Sequence, residues 1–124
     1  PYHLSAITQA AARGALAHST QLLAAVDDLK LQRDRIVVGC RELGLLVADS
    51  DANFVLFGGF TDQAAIWRKL LEAGVLVRDV GLPGWLRVTA GTPDETSAFL
   101  SALTTIAQEP GVVTTATAVG QEST

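Results

Sequence analysis

The sequence predicts an α/β domain: a long helix followed by the order β-β-α-β-β-α, giving a sheet covered by helices on one face. Three observations carry this. A single apolar stripe runs from Leu22 to Leu43 at alternating spacings of four and three. Four short apolar runs follow it, each bounded by Gly, Pro or Asp-rich turns. Two further helical faces interleave with those runs, the second opened by Thr92-Pro93-Asp94-Glu95, an N-cap threonine with proline at the first helical position and glutamate three after the cap.

Taken in order, Ser5 to His18 is rich in Ala and reads as a helix that Gly14 weakens by roughly 1 kcal/mol relative to Ala. Ser19 or Thr20 is placed to cap a second helix, whose stripe is Leu22, Val26, Leu29, Arg33, Ile36, Cys40 and Leu43. It stops at Gly44, so the helix spans about 24 residues and roughly 36 Å. With Arg33 interrupting the stripe and only about three heptads available, a helix packed along a sheet is favoured over a coiled coil.

Leu45 to Ala48 and Asn53 to Phe57 read as strands joined across Asp49-Ser50-Asp51. After Gly58-Gly59, Thr61 is expected to cap a helix with Asp62 in its first turn. Ala65, Ile66, Leu70 and Ala73 form its inner face, and Gly74 ends it. Val75 to Val77 leads a third strand that reaches Arg78. Gly81-Leu82-Pro83-Gly84 is a turn, and Trp85 to Ala90 is a fourth strand. The capped helix carries Phe99, Leu100, Leu103 and Ile106 and stops before Pro110; the Thr-rich remainder is expected to be a loosely ordered tail.

Composition narrows the function. One domain's worth of chain, 124 residues with 48% apolar and 18% charged content, is ordinary globular usage. Thirteen acids against nine bases give a net charge of −4 with no Lys/Arg block, so neither nucleic acid nor an anionic membrane surface is an expected partner. Cys40 is the lone cysteine beside His3 and His18, too few for a disulfide framework or a two-Cys, two-His zinc site, and no metal is expected. With no apolar run near the ~20 residues a bilayer demands and no signal segment at its start, the chain is expected in the cytoplasm. The absence of Met and the opening Pro1-Tyr2-His3-Leu4-Ser5 suggest a piece of something longer.

Arg78 and Arg87 are the first chemical candidates, lying near facing ends of the third and fourth strands across the connection from Asp79 to Gly84. If Arg78 pairs with Trp85, then Leu76 pairs with Arg87, and alternation puts both guanidinium groups on one face. Two such forks suit a phosphate or carboxylate; a one-residue slip would separate them. The plainer reading pairs each with Asp79 or Asp94 on a solvated surface. Asn53 tips a strand as either a ligand amide or a turn amide, with the turn preferred. Trp67 and Trp85 suit core or interface, the histidines suit surface or helix ends, and Cys40 suits a buried inert thiol. No nucleophile-elbow or P-loop motif is present.

Three stretches, Ser50-Asp51-Ala52-Asn53-Phe54-Val55-Leu56, Gly74-Val75-Leu76-Val77-Arg78-Asp79-Val80-Gly81 and Leu86-Arg87-Val88-Thr89-Ala90-Gly91-Thr92, resemble in order and spacing the histidinol-phosphate aminotransferases. The opening Pro1 to Ser5 and Thr8-Gln9-Ala10-Ala11 are similar to that family's segment before its long interdomain helix, so the resemblance covers about Pro1 to Ala107. It implies the C-terminal small domain of the fold type I pyridoxal-phosphate-dependent transferases. Residues 1–19 would then close the large domain, 20–44 would be the interdomain helix, 45–109 the small domain and 110–124 the tail. It implies a homodimeric transaminase exchanging an amino group between L-histidinol phosphate and 2-oxoglutarate. Arg87 would grip the acidic group of the substrate and Arg78 would help hold its phosphate. The cofactor implied is pyridoxal 5'-phosphate, but the only lysines, Lys30 and Lys69, lie outside the family's lysine motif, so no catalytic residue is expected in this segment and the segment alone is expected to be inert.

An aromatic amino-acid aminotransferase or a phosphothreonine decarboxylase relative of the same fold would share these motifs. A stand-alone, non-enzymatic ligand-binding domain and an interaction module using the long helix as a dimer seam through Val26 and Leu29 are the readings from other classes.

Overall fold

The computed structural model describes residues 3–111. Of the expected tail, 110–124, only Pro110 and Gly111 fall within it, and 112–124 lie outside the described residues. The first helix, α1, is Ala6–Ala17, with the Ser5 hydroxyl accepting from the Thr8 amide at 3.1 Å. The second, α2, is Ser19–Glu42, 24 residues as the stripe predicts, and Gly44 follows it at φ 76°. Neither Ser19 nor Thr20 caps it. His18 occupies the one-residue junction, its amide bonded back to Ala15 and Leu16 carbonyls and its carbonyl accepting from Gln21 and Leu22. One backbone unit thus serves both helices, which leaves no turn in which a serine side chain could fold back.

The remaining elements are β1 (Leu46–Val47), β2 (Phe54–Gly58), α3 (Gln63–Glu72), β3 (Arg78–Asp79), β4 (Trp85–Thr89) and α4 (Pro93–Ala107). The order β-β-α-β-β-α behind a long helix is the one the sequence predicts. The strands form one antiparallel sheet in the order β1-β2-β4-β3. Val55 and Phe57 of β2 and Leu86 and Val88 of β4 are buried toward the helices, meeting Ile36 and Cys40 of α2, Ile66 and Leu70 of α3, and Phe99 and Leu103 of α4. Phe57 stands edge-on to both Phe60 and Phe99, at 5.7 and 5.4 Å between ring centroids. Alternation leaves Phe54, Leu56 and Arg87 on the opposite, open face.

Two expectations are corrected by local hydrogen bonding. The helix cap at α3 is Asp62, whose carboxylate accepts from the Ala65 amide at 2.9 Å, while Thr61 donates to the Gly111 carbonyl instead. The third strand is not Val75 to Val77: the ladder takes only Arg78 and Asp79. The Val75 amide donates to the Leu70 carbonyl at 2.8 Å and the Val77 carbonyl accepts from the Trp67 indole at 2.8 Å, so these groups are committed to α3 and cannot pair with β4.

Long as α2 is, it buries only Gln32, Ile36 and Cys40, and α1 buries nothing. The sheet is shorter than the helix, so the front of the stripe, Leu22 and Val26, stays exposed. At the other end of the sheet Gly58 is required by proximity: a Cβ there would lie 2.6 Å from the Gly84 carbonyl oxygen and from the Trp85 ring. Gly84 itself takes φ 77° in the turn that connects β3 to β4.

Candidate anion site

Residues directly opposite in an antiparallel ladder share a face, so register decides which side chains meet. Arg78 lies opposite Arg87, and Arg87 lies opposite Leu56 on its other side. These three form one row across β3, β4 and β2 on the open face. The pairing differs by two residues from the expected one, in which Arg78 faced Trp85 and Leu76 faced Arg87. Because side chains alternate with a period of two, such a shift keeps both guanidinium groups together.

Arg78 and Arg87 line a cavity of about 340 Å³ with Leu76, Val77 and Thr89. The Arg87 guanidinium carbon lies 4.9 Å from the centroid of the Phe54 ring. Its Nε is buried and has no hydrogen-bond partner among the described residues. Ion pairs among those residues join Lys30 to Asp27, Arg33 to Asp34, Arg41 to Asp49 and Lys69 to Glu109, and none involves Arg78 or Arg87. The carboxylates expected to pair with them are placed otherwise. Asp79 accepts from the Gly81 amide at 2.8 Å, and Asp94 lies in the first turn of α4. Two like charges opposed without a counter-ion destabilise a ladder, and an oxyanion between them reverses the sign of that interaction.

A larger cavity of about 470 Å³ lies between α2, α4 and the Gly74 to Leu76 segment. Its single ionisable lining group, Glu95, is taken up by the capping box, accepting from the Thr92 amide at 2.7 Å and the Thr92 hydroxyl at 2.9 Å. The backbone bond from Thr92, then the hydroxyl, holds this carboxyl below its ordinary range. The smaller cavity is the one lined by both Arg78 and Arg87.

The other candidates do not converge on it. Asn53 gives its backbone carbonyl to the Ala90 amide at 2.8 Å, and its side chain makes no hydrogen bond among the described residues; Ser50 forms the turn by donating to the Phe54 carbonyl at 2.6 Å. Trp67 is tied to Val77, Trp85 packs over Gly58, His18 joins two helices and His3 is exposed. Cys40 is fully buried, and loss of solvation pushes its thiol from 9.0 up to about 12, which fits an inert core thiol. Phe54 is the residue that sequence reasoning missed. Its signal was an aromatic ring at the alternate, open-face position of β2.

Comparison with known proteins adds a family to this geometry. The sequence profile of the family described as aminotransferase class I and II matches residues 1–103. Similar curated proteins include histidinol-phosphate aminotransferases of Frankia casuarinae, 66% identical over 83% of this chain and 26% of theirs, and of Paenarthrobacter aurescens, 61% identical over 83% and 28%. The enzyme of that name from Streptomyces avermitilis is 56% identical over 88% and 30%. Among solved structures, an aminotransferase from Burkholderia pseudomallei is similar with a TM-score of 0.71 at 31% identity, covering 76% of this chain and 30% of that one. N-succinyldiaminopimelate aminotransferase from Mycobacterium tuberculosis shares the fold, with a TM-score of 0.63 at 24% identity over 79% and 30%. The chain thus spans under a third of the length of the relatives it matches.

Proposed function

The chain belongs to the aminotransferase class I and II family, and we propose that it forms the C-terminal part of a histidinol-phosphate aminotransferase. In this reading 1–19 ends the large domain, 20–44 is the interdomain helix, 45–109 is the small domain and 110–124 is a tail. The reaction is amino transfer from L-histidinol phosphate to 2-oxoglutarate, yielding imidazole-acetol phosphate and glutamate, in a cytoplasmic homodimer. The observation that carries the reading is the cross-strand pair Arg78–Arg87, to which no carboxylate of the described residues is ion-paired. Both substrates carry an anion near the reacting carbon, a phosphate on the methylene bonded to it in L-histidinol phosphate and a carboxylate bonded directly to it in 2-oxoglutarate. A pair of guanidinium forks accepts either and places the amino-bearing carbon at a fixed reach.

Members of this family in general use pyridoxal phosphate, which supplies an electron sink for amino transfer. Neither lysine of the described residues stands at the arginine cavity to hold it. Lys30 is paired with Asp27 on α2 at 3.0 Å, Lys69 is paired with Glu109, and neither lines the arginine cavity. We assign to this segment anion binding alone, and expect it to be catalytically inert in isolation.

Two measurements test the reading. Inorganic phosphate titrated into the 124-residue chain, in a buffer of weakly binding ions, is expected to shift the Arg78 and Arg87 side-chain NMR resonances, and R87Q to abolish the shift at Arg78. Amino transfer from L-histidinol phosphate by the complete gene product is expected, with R87Q raising KM for both the phosphate donor and 2-oxoglutarate. Turnover of aromatic amino acids with no turnover of histidinol phosphate would overturn the substrate assignment.

A further inference from the structure

We propose that Phe54 is a positioning residue: its ring is the platform that holds the Arg87 guanidinium in the attitude needed to receive an anion. The inference deepens the anion-site reading above and rests on it for its functional consequence. A free arginine side chain has about four rotatable bonds, and an anion that must first order them binds weakly. Among the described residues, no hydrogen bond reaches the Arg87 Nε and no carboxylate is ion-paired to its guanidinium, and its two ladder neighbours on the open face are Leu56 and the like-charged Arg78. Arg78 carries the same charge and gives the Arg87 guanidinium no attractive partner. The contact that holds it is the Phe54 ring, 4.9 Å from the guanidinium carbon.

The register explains why the ring is there. Phe54 pairs with Thr89, one row along from Leu56 and Arg87, so Phe54 and Arg87 are diagonal neighbours on the same face. A guanidinium lying over an aromatic face is attracted by the ring quadrupole and keeps its plane. With Nε shut away from water and the residue lining the cavity, the donors left for an anion are the two Nη groups.

The test compares F54L, which keeps an apolar side chain without a π-face, with F54Y, which keeps the face. It has two readouts on the 124-residue chain. Without any anion, the Arg87 Nε–H resonance is expected to be ring-shifted and slow to exchange in the parent chain and in F54Y, and to move toward its free position and exchange faster in F54L. With inorganic phosphate, F54L is expected to bind about five-fold more weakly than the parent, with F54Y close to the parent. Amide dispersion and thermal melting report whether F54L is folded, and F54M puts the same question if it is not. An unchanged Nε–H resonance in F54L, or phosphate affinity equal to the parent's, overturns the proposal. Absence of any phosphate shift in the parent chain overturns the anion reading itself, while the exchange comparison still decides whether Phe54 holds Arg87.

Discussion

Arg78 and Arg87 face each other across the β3–β4 ladder, two guanidinium side chains opposed on the open face of a sheet with no carboxylate of the described residues ion-paired to either. Like charges directly opposite one another destabilise a ladder. Removing one charge is therefore expected to stabilise the anion-free chain: R78Q should melt slightly higher than the parent at low salt and lose the rise in melting temperature that phosphate confers. Thermal melts with and without phosphate check this, and equal phosphate stabilisation of the two proteins would count against an anion site.

Thr92 and Glu95 cap α4 reciprocally, the Thr92 hydroxyl accepting from the Glu95 amide and the Glu95 carboxylate accepting from the Thr92 amide. Thr92→Ala is expected to cost about 1 kcal/mol. The Glu95 carboxyl titrates below 4.5 in the folded chain. Its contribution is thus present above the unfolded value and is lost as pH falls through the folded one. Urea midpoints measured down the acid range should fall less steeply in T92A than in the parent.

Cys40 behaves in the opposite sense. Its folded thiol stays protonated up to about 12, against 9.0 unperturbed, because burial disfavours the thiolate. The stability it contributes is full below the unfolded value and is lost as pH rises from there through the folded one. A disulfide reagent at neutral pH should leave Cys40 unlabelled in the native chain and label it stoichiometrically in urea. Rapid labelling without denaturant would show that α2 is not seated on the sheet.

Gly58→Ala sets a methyl group against the Gly84 carbonyl and the Trp85 ring, both at 2.6 Å from the ideal Cβ. Backbone cannot rotate away as a side chain can, so the end of β2 must separate from the connecting turn, at a cost of about 1–3 kcal/mol. Denaturant unfolding measures it. Gly44→Ala offers a contrast, since nothing lies within 4 Å of that Cβ and the cost there is confined to the left-handed backbone at φ 76°.

Much of the fold was legible because its signals are local. The Thr92 to Glu95 box, the glycines ending α2 and α3, and the short apolar run from Asn53 to Phe57 each declare an element within a few residues. The misplacements share one cause. Asp62 displaced Thr61 as a cap, His18 displaced Ser19, and Val75 to Val77 left the sheet, each because a backbone group found a partner that sequence spacing does not reveal. Of the site, the arginines were legible from their strands, and Phe54 was not, since the strand order that sets β2 beside β4 is a long-range property.

The sequence by itself determined the kinds and order of the elements; it offered a common face for Arg78 and Arg87 in one register only, a face that a shift of two residues keeps and a shift of one would lose. Only the tertiary structure decided that Arg78 meets Arg87 directly and that Phe54 lies under the Arg87 guanidinium. The reason is physical: register is set where α3 draws Val75 and Val77 out of the ladder, and adjacency is set by which strands bury Val55, Phe57, Leu86 and Val88 against the helices. Both depend on packing between residues far apart in the chain, which no local pattern encodes.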